Sequence, residues 1–124
     1  MTVAAMDAQL TILLEIQDLR SKVRELKAES GLGAFEADHF DLDVGAAVDV
    51  LGAKIEELEA KLADSVHRRY ARIAGHVERV VVPVIAGTCY GCFVSVPAAT
   101  AGESDPNAEL QTCEHCGRFL YFLA

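Results

Sequence analysis

The 124-residue sequence lacks any apolar run long enough to cross a bilayer as a helix, which takes about 18 residues. Its first residues, Met1 to Asp7, also lack the basic segment and the apolar segment of a secretory signal peptide. These absences predict a protein with no membrane-spanning segment that resides in the reducing cytoplasm. In that compartment paired cysteines favour metal binding over disulfide formation.

Positive charge is scarce. Eleven Lys and Arg residues face 19 Asp and Glu residues, and the net charge is −8. A general phosphate-binding surface needs a face rich in basic residues, so the balance argues against one. The excess of acidic over basic residues is larger in residues 81–124, where Arg118 is the single Lys or Arg and the acidic residues are Glu103, Asp105, Glu109 and Glu114.

Cysteine is rare too, but its placement is informative. The four cysteines form two Cys-x-x-Cys pairs, Cys89/Cys92 and Cys113/Cys116, with twenty residues between the pairs. Each short turn lets two thiolates point inward, and the intervening loop brings one pair over the other. This layout predicts one structural Zn²⁺ held by four sulfurs. Iron in a rubredoxin-like site and a thiol–disulfide role for Cys89 and Cys92 are the alternatives.

Two helical patterns occupy the first three fifths of the chain. The first predicts a helix over residues 3–29, whose apolar seam comprises Ile12, Ile16, Leu19, Val23 and Leu26. The second predicts a helix from about Gly45 to Ala74, with Asp41 or Asp43 as its N-cap and a four-residue step in the seam after Leu62. Such helices should pair as an antiparallel coiled-coil hairpin. Pairing within one chain and pairing between two chains of a homodimer both stay open.

The pattern changes after residue 75. The segment Arg79–Gly87 is rich in β-branched residues and predicts a strand, which Pro83 should confine to an edge or a bulge. Further short strands are expected at Phe93–Pro97, Ala108–Thr112 and Arg118–Leu123, the last with at least one of its rings facing outward. The predicted fold class is therefore α+β: a coiled-coil helical hairpin over 1–76, with an acidic tip near 30–45, and a four-cysteine zinc ribbon over 77–124.

Two segments of the chain resemble a known family. Val82–Pro97 contains Thr-Cys-Tyr-Gly-Cys-Phe, and Leu110–Tyr121 contains Thr-Cys-Glu-His-Cys-Gly-Arg-Phe-Leu-Tyr. Both are similar to the bacterial C4-type zinc-ribbon family, whose members carry an N-terminal coiled-coil hairpin. The resemblance implies zinc at the four cysteines and a non-enzymatic role in nucleic-acid binding or regulation, in some members through protein partners in transcription or flagellar regulation. The hairpin here is much shorter than the family norm.

The connection between the two predicted helices is acidic. From Glu29 to Asp49 there are six acidic residues and no Lys or Arg. An acidic tip beside a four-cysteine ribbon resembles the secondary-channel factors of bacterial RNA polymerase, the Gre and DksA-like proteins, which deliver carboxylates toward a catalytic Mg²⁺. By this resemblance, the candidate partner-binding residues are Asp38, Phe40, Asp41 and Asp43. The alternative is a solvated loop whose aspartates cap the following helix.

Basic residues concentrate near the end of the second predicted helix. Arg68, Arg69, Arg72 and Arg79 are the candidates for contacts to RNA or DNA. The alternative is that these cations complement the dipole at a helix C-terminus.

The leading functional hypothesis is a non-catalytic adaptor or regulator that binds a protein partner, with RNA polymerase or a sigma factor as the candidates. RNA or DNA binding through the arginines is the second hypothesis. A redox or metal-handling protein is the third, although no βαβ unit surrounds the first cysteine pair. No nucleophile–base constellation is evident, so the sequence predicts that the protein is not an enzyme.

Overall fold

A computed structural model describes residues 6–30, 37–97 and 106–123. It has three helices, α1 (Ala8–Ser30), α2 (Ala37–Glu59) and α3 (Asp64–Ala74). Four strands follow, β1 (Val81–Ile85), β2 (Thr88–Cys89), β3 (Gln111–Thr112) and β4 (Phe119–Leu123), with a short 3₁₀ helix at Pro106–Ala108. The predicted α+β class is confirmed. Across these described ranges, no helix combines the length and apolar character needed to cross a bilayer.

The chain divides into two compact units. One contains Met1–Leu14 together with Leu62–Ala124, and the other contains Glu15–Lys61. The first unit holds α3, the sheet and all four cysteines. The predicted boundary at residue 76 and the predicted coiled-coil pairing of the helices stay predictions.

Asp7 starts α1. Its Oδ1 accepts hydrogen bonds from the backbone N–H groups of Gln9, at 2.8 Å, and Leu10, at 3.1 Å. These bonds satisfy two of the N–H groups that a helix start leaves unpaired. The Asp7 N–H in turn donates to the carbonyl of Asn107 at 2.9 Å, which fixes the start of α1 to the segment before β3.

The apolar stripe of α1 is most deeply buried near its start. Leu10, Leu13 and Ile16 are each 1% exposed or less, whereas Leu19 and Val23 of the predicted seam are half-buried. The apolar residues of the predicted seam therefore lie on the less exposed side of α1 along its length.

The structure differs from the predicted second helix in two places: where the helix begins and in its middle. α2 begins at Ala37, so the expectation that Asp41 or Asp43 is its N-cap is wrong. The predicted continuous helix is also interrupted after Glu59, and α3 starts at Asp64. At the interruption the Ala63 N–H donates to Gln9 Oε1 at 2.7 Å instead of to a carbonyl one turn earlier. Asp64 and Ser65 favour a helix start there, because short polar side chains prefer first-turn positions.

The sheet has the order β2-β1-β4-β3. β1 and β4 pair in parallel from Val81 with Phe119 to Ile85 with Leu123, and the two outer strands pair antiparallel. Side chains alternate across a strand, so β1 and β4 bury both faces. One face packs against the cysteines and contains Val82, Val84, Leu120 and Phe122; the other contains Val81 and Phe119.

Pro83 occupies an interior strand, which contradicts the expected edge or bulge position. Its carbonyl accepts a hydrogen bond from the Tyr90 N–H at 2.9 Å. Because the nitrogen and the carbonyl of one strand residue face the same side, the Pro83 nitrogen faces Tyr90 and not β4. The proline therefore leaves the pairing with β4 intact, and its missing N–H falls next to Tyr90, just beyond the end of the short β2.

Candidate metal centre

The four cysteine sulfurs converge on one point. All four Sγ atoms lie within 4.8 Å of one another. The Cys89–Cys116 sulfurs are 3.9 Å apart and the Cys92–Cys113 sulfurs 3.7 Å apart. A tetrahedral site with metal–sulfur bonds of about 2.3 Å has sulfur–sulfur edges of about 3.8 Å. The thiols are therefore positioned to coordinate a metal ion, as the cysteine spacing predicted.

The first pair begins at Cys89, the last residue of β2, and continues into the tight turn that follows. The Phe93 N–H donates to the Cys89 carbonyl at 2.7 Å, and the Cys89 N–H donates to the Val94 carbonyl at 3.0 Å. Within this turn Gly91 lies in a close approach: a Cβ there would lie 2.8 Å from Arg118 Nη1 and 3.1 Å from the Val82 methyl groups, so a side chain would displace the guanidinium and press on Val82. The backbone therefore passes close to β1, which brings both sulfurs of the pair toward the cluster.

The second pair lies in the turn between β3 and β4. The Gly117 N–H donates to the Cys113 carbonyl at 2.9 Å, and the Cys113 N–H donates to the Arg118 carbonyl at 2.8 Å. Gly117 has a φ of 77°, a left-handed conformation that glycine adopts without strain. His115, which the spacing did not require as a ligand, is exposed.

The protein environment alone favours thiols over thiolates at two of the four positions. Burial raises the pKa of the Cys92 thiol, and it raises the pKa of the Cys116 thiol to about 12. Burial also opposes ionisation of Cys113, but the backbone N–H groups of Cys116 and His115 stabilise its thiolate, so its pKa is lowered to about 7. A bound cation would supply the positive charge that the other sulfurs need in order to ionise.

Two arginines form hydrogen bonds to the backbone of the cysteine turns. Arg118 Nη1 donates to the Gly91 carbonyl at 3.4 Å, and Arg69 Nη1, from α3, donates to the Gly117 carbonyl at 3.2 Å. These bonds link the second turn to the first and α3 to the second turn. No local pattern predicts this bond of Arg118, because its partner lies 27 residues away in the chain.

The predicted nucleic-acid residues separate in the structure. Arg69 is half-buried against Gly117, whereas Arg68, Arg72 and Arg79 are exposed. The Arg68 Nε donates within α3 to the Asp64 carbonyl at 3.4 Å. The four arginines therefore do not have equivalent surroundings.

The predicted partner-binding residues lie in α2. Asp38, Phe40, Asp41 and Asp43 have helical backbone, but their side chains lie outside what the structure describes, as do residues 31–36 entirely. Their role stays a prediction.

The exposed aromatic rings in the C-terminal region are not those expected. In β4, Phe119 and Phe122 are buried and Tyr121 is half-buried. The outward-facing rings belong to the first cysteine turn, where Phe93 is 71% exposed and Tyr90 is 45% exposed. Their ring centroids are 5.5 Å apart, and Phe93 has a left-handed φ of 61°. The sequence predicts a strand over Phe93–Pro97, whereas the structure has only an isolated β-bridge between Ser95 and Thr88 there, so exposed rings beside a cysteine pair were not predicted.

Comparison with known proteins gives a likeness of fold. No family model matches the chain, and no curated protein sequence matches it. Among solved structures, the HP0958 protein from Helicobacter pylori is similar, with a TM-score of 0.53 and 15% sequence identity. The likeness covers 92% of this chain and 76% of that chain. At this identity it shows a shared fold and nothing about function.

Proposed function

We propose that Cys89, Cys92, Cys113 and Cys116 hold one structural Zn²⁺ and that the protein is a non-catalytic adaptor or regulator of the transcription apparatus. The observation that carries the metal assignment is the set of four sulfurs at tetrahedral spacing. Four protein sulfurs fill the coordination shell of zinc, so no position is left for a reactive water molecule. This supports a structural role for the ion.

Zinc is favoured over iron as the resident ion because closed tetrahedral four-thiolate sites most often serve zinc in a structural role. Iron with the same ligands is the alternative. Metal analysis of protein purified without chelators distinguishes them: zinc should be present at about one ion per chain. A coloured protein with iron in that stoichiometry would contradict the assignment.

The exposed side chains of the first cysteine turn support binding to a protein. Tyr90, Phe93 and Val94 are 45%, 71% and 39% exposed, and they are adjacent in the chain. Exposed neighbouring apolar groups of this kind are typical of contact surfaces. Phe93 also has a backbone conformation that glycine would adopt at lower cost, so folding stability does not explain an aromatic residue there.

The transcription part of the proposal depends on the sequence resemblances. The C4-type zinc-ribbon motifs and the acidic segment with Asp38, Phe40, Asp41 and Asp43 support it, with RNA polymerase or a sigma factor as the partner and the cytoplasm as the location. A homodimer is a further proposal. Binding of RNA or DNA by Arg68, Arg69, Arg72 and Arg79 and a redox role for the cysteines are the competing functions.

Capture from nuclease-treated lysate of the source organism tests the adaptor function. Tagged, zinc-loaded wild type is compared with Phe93→Ser, with Asp41→Asn/Asp43→Asn, and with Val50→Ser as the control. Val50 is 70% exposed and lies on α2, so it matches Phe93 in exposure but not in position. We expect wild type and the Val50 variant to retain RNA polymerase or a sigma factor and the Phe93 variant to lose it.

Each other outcome has a definite meaning. Loss in the aspartate variant would assign the α2 carboxylates to the same partner. Retention of a different protein would contradict the transcription role, and retention only without nuclease treatment would favour nucleic-acid binding. Reversible pairing of cysteines on mild oxidation, with release of the metal, would favour the redox function.

A further inference from the structure

A small basic pocket lies against the second cysteine turn. It has a volume of about 330 Å³ and lies wholly within the unit that contains the cysteines. Its polar wall consists of Arg69, Arg72, His76 and Arg118, and its apolar wall includes Ile73 and Val77. Arg69, Arg72 and Ile73 share one side of α3 because they are spaced three and four residues apart, and His76 lines the pocket from the turn after the helix.

The positive charge of this pocket exceeds what the metal cluster neutralises. Three guanidinium groups line it, whereas a divalent metal with four thiolates carries two negative charges, so about one positive charge remains. Arg69 and Arg118 each donate to a backbone carbonyl, and both guanidinium groups have further N–H donors. Within residues 6–30, 37–97 and 106–123, no carboxylate lies within ion-pair distance of Arg72. The pocket can therefore accept an anionic group.

We propose that this arginine pocket binds an acidic side chain of a protein partner, flanked by an apolar residue that contacts Ile73 and Val77. The inference rests on the proposed adaptor function and names a second contact point for its partner. A planar guanidinium can hold a carboxylate by two parallel hydrogen bonds, which gives both strength and orientation.

The charge around the pocket favours a single carboxylate over a nucleic acid. The cysteines are flanked on another side by a groove of about 620 Å³ whose lining includes Glu109 and Glu114. A polyanion that crosses the ribbon would meet these carboxylates and be repelled, whereas one acidic side chain would contact the arginines alone. The apolar wall also fits a peptide better than a phosphate backbone.

Peptide titration of the zinc-loaded full chain, followed by amide NMR, tests the inference. The probes are acetyl-Leu-Glu-Leu-amide and its matched control acetyl-Leu-Gln-Leu-amide. The Glu peptide should shift the amides of Arg72, His76 and Gly117, and the Gln peptide should bind at least about tenfold more weakly, because it cannot form charge-assisted bonds.

Two variants on the same helix separate the pocket from general charge. Arg72→Gln should weaken binding of the Glu peptide about tenfold or more and should also abolish the preference for Glu over Gln, an effect that a general loss of stability would not produce. Arg68→Gln removes an equal charge from an exposed position outside the pocket and should change binding by less than about twofold.

Several results would overturn the inference. Equal binding of the two peptides would do so, and so would unchanged binding of the Glu peptide to Arg72→Gln. A third such result is binding of a uridine decamer that depends on Arg72 and weakens steeply with salt, because steep salt dependence indicates several phosphate contacts. If the peptides fail to bind while Phe93→Ser still loses the captured partner, the adaptor function stands and only the pocket is wrongly assigned. If neither capture nor peptide binding occurs, both proposals fail.

Discussion

Ala86 and Gly87, the two turn residues between β1 and β2, both have positive φ angles, 51° and 77°. Ile85 pairs with Thr88 across them, so they form the two-residue hairpin loop of the type whose twist matches antiparallel strands. A residue with a Cβ is disfavoured in this region by about 1–2 kcal/mol, and Asn tolerates it better than Ala. Ala86 is therefore less suited to the turn than Gly87.

Exchanging these residues should change stability in opposite directions. We expect Ala86→Asn to raise the free energy of unfolding by about 0.5 kcal/mol and Gly87→Ala to lower it by about 1–2 kcal/mol. No atom lies within 4 Å of a Cβ added at Gly87, so the loss of stability in Gly87→Ala would come from the backbone conformation alone. Urea unfolding at a fixed free zinc concentration measures both; a loss of stability in the Asn variant would contradict the turn geometry.

The second cysteine turn allows a direct test of which residue binds the metal. Cys116→Ser should weaken binding of cobalt(II) by at least about 100-fold, because a thiolate ligand is lost from a closed site. His115→Ser changes the neighbouring, exposed residue and should leave the affinity and the absorption spectrum unchanged. Spectral titration with cobalt(II) compares them, and an altered spectrum in the His115 variant would mean that the imidazole is a ligand.

At the scale of elements, one residue, Asn107, connects three segments through its side chain and its backbone carbonyl. Asn107 Nδ2 donates to the Phe122 carbonyl and Asn107 Oδ1 accepts from the Phe122 N–H, both at 2.8 Å. The Asn107 carbonyl accepts from the Asp7 N–H at the start of α1. Asn107 thus extends the pairing of β4 beyond the two residues of β3 and attaches the start of α1 to the sheet.

Removal of this side chain should loosen β4. We expect Asn107→Ala to lower the free energy of unfolding by about 1–3 kcal/mol, since two hydrogen bonds are lost and the Phe122 backbone is left unpaired. Glu109→Ala, two residues away and exposed, should change it by less than about 0.5 kcal/mol. Both are compared by urea unfolding in zinc; equal stabilities would show that water replaces the amide without loss.

The elements also show how far sequence patterns extend. The apolar periods predicted that α1 and the second helical region exist, the β-branched residues of Arg79–Gly87 predicted β1, and the strand expected over Arg118–Leu123 is present as β4. They did not predict the interruption at Ala63, where the bonding partner is Gln9, 54 residues earlier in the chain. They also placed Pro83 wrongly, because the position of a strand in the sheet depends on which later segments pair with it.

At the scale of the whole molecule, the sheet has a small core that includes the metal site. Five apolar residues form it with the cysteines: Val82, Val84, Val96, Leu120 and Phe122. The opposite face of the sheet also buries Val81 and Phe119, but a core of this size still gives little stabilisation relative to the entropy of ordering the chain. Metal binding should therefore supply much of the folding free energy of this part, as it does in zinc-finger peptides, at about 10–16 kcal/mol apparent.

Chelation should consequently unfold the sheet. We expect zinc removal to abolish the amide exchange protection of β1 and β4, and zinc addition under reducing conditions to restore it. Hydrogen exchange measured by NMR or mass spectrometry gives the result residue by residue. Retained protection in protein shown to be metal-free would mean that the apolar core suffices.

Zinc binding should also release protons. At pH 7 the raised pKa values of Cys92 and Cys116 keep both thiols protonated, and the pKa of about 7 leaves Cys113 half-ionised. Thiolates are the ligands, so protons compete with the metal and the affinity must rise with pH. Calorimetry in buffers of different ionisation enthalpy should detect release of about two protons or more; release of fewer than one would contradict the pKa directions.

The sequence by itself determined which four cysteines come together as a candidate metal site, the α+β class and the existence of the main helices and strands. These follow from local rules, because cysteine spacing, apolar period and β-branched composition act over a few residues. The tertiary structure decided the order of the sheet, the interruption between α2 and α3, and the exposure of Phe93 in place of the β4 rings. It also brought Arg69, Arg72 and Arg118 to one pocket. Those features depend on contacts between residues far apart in the chain, and no local pattern encodes them.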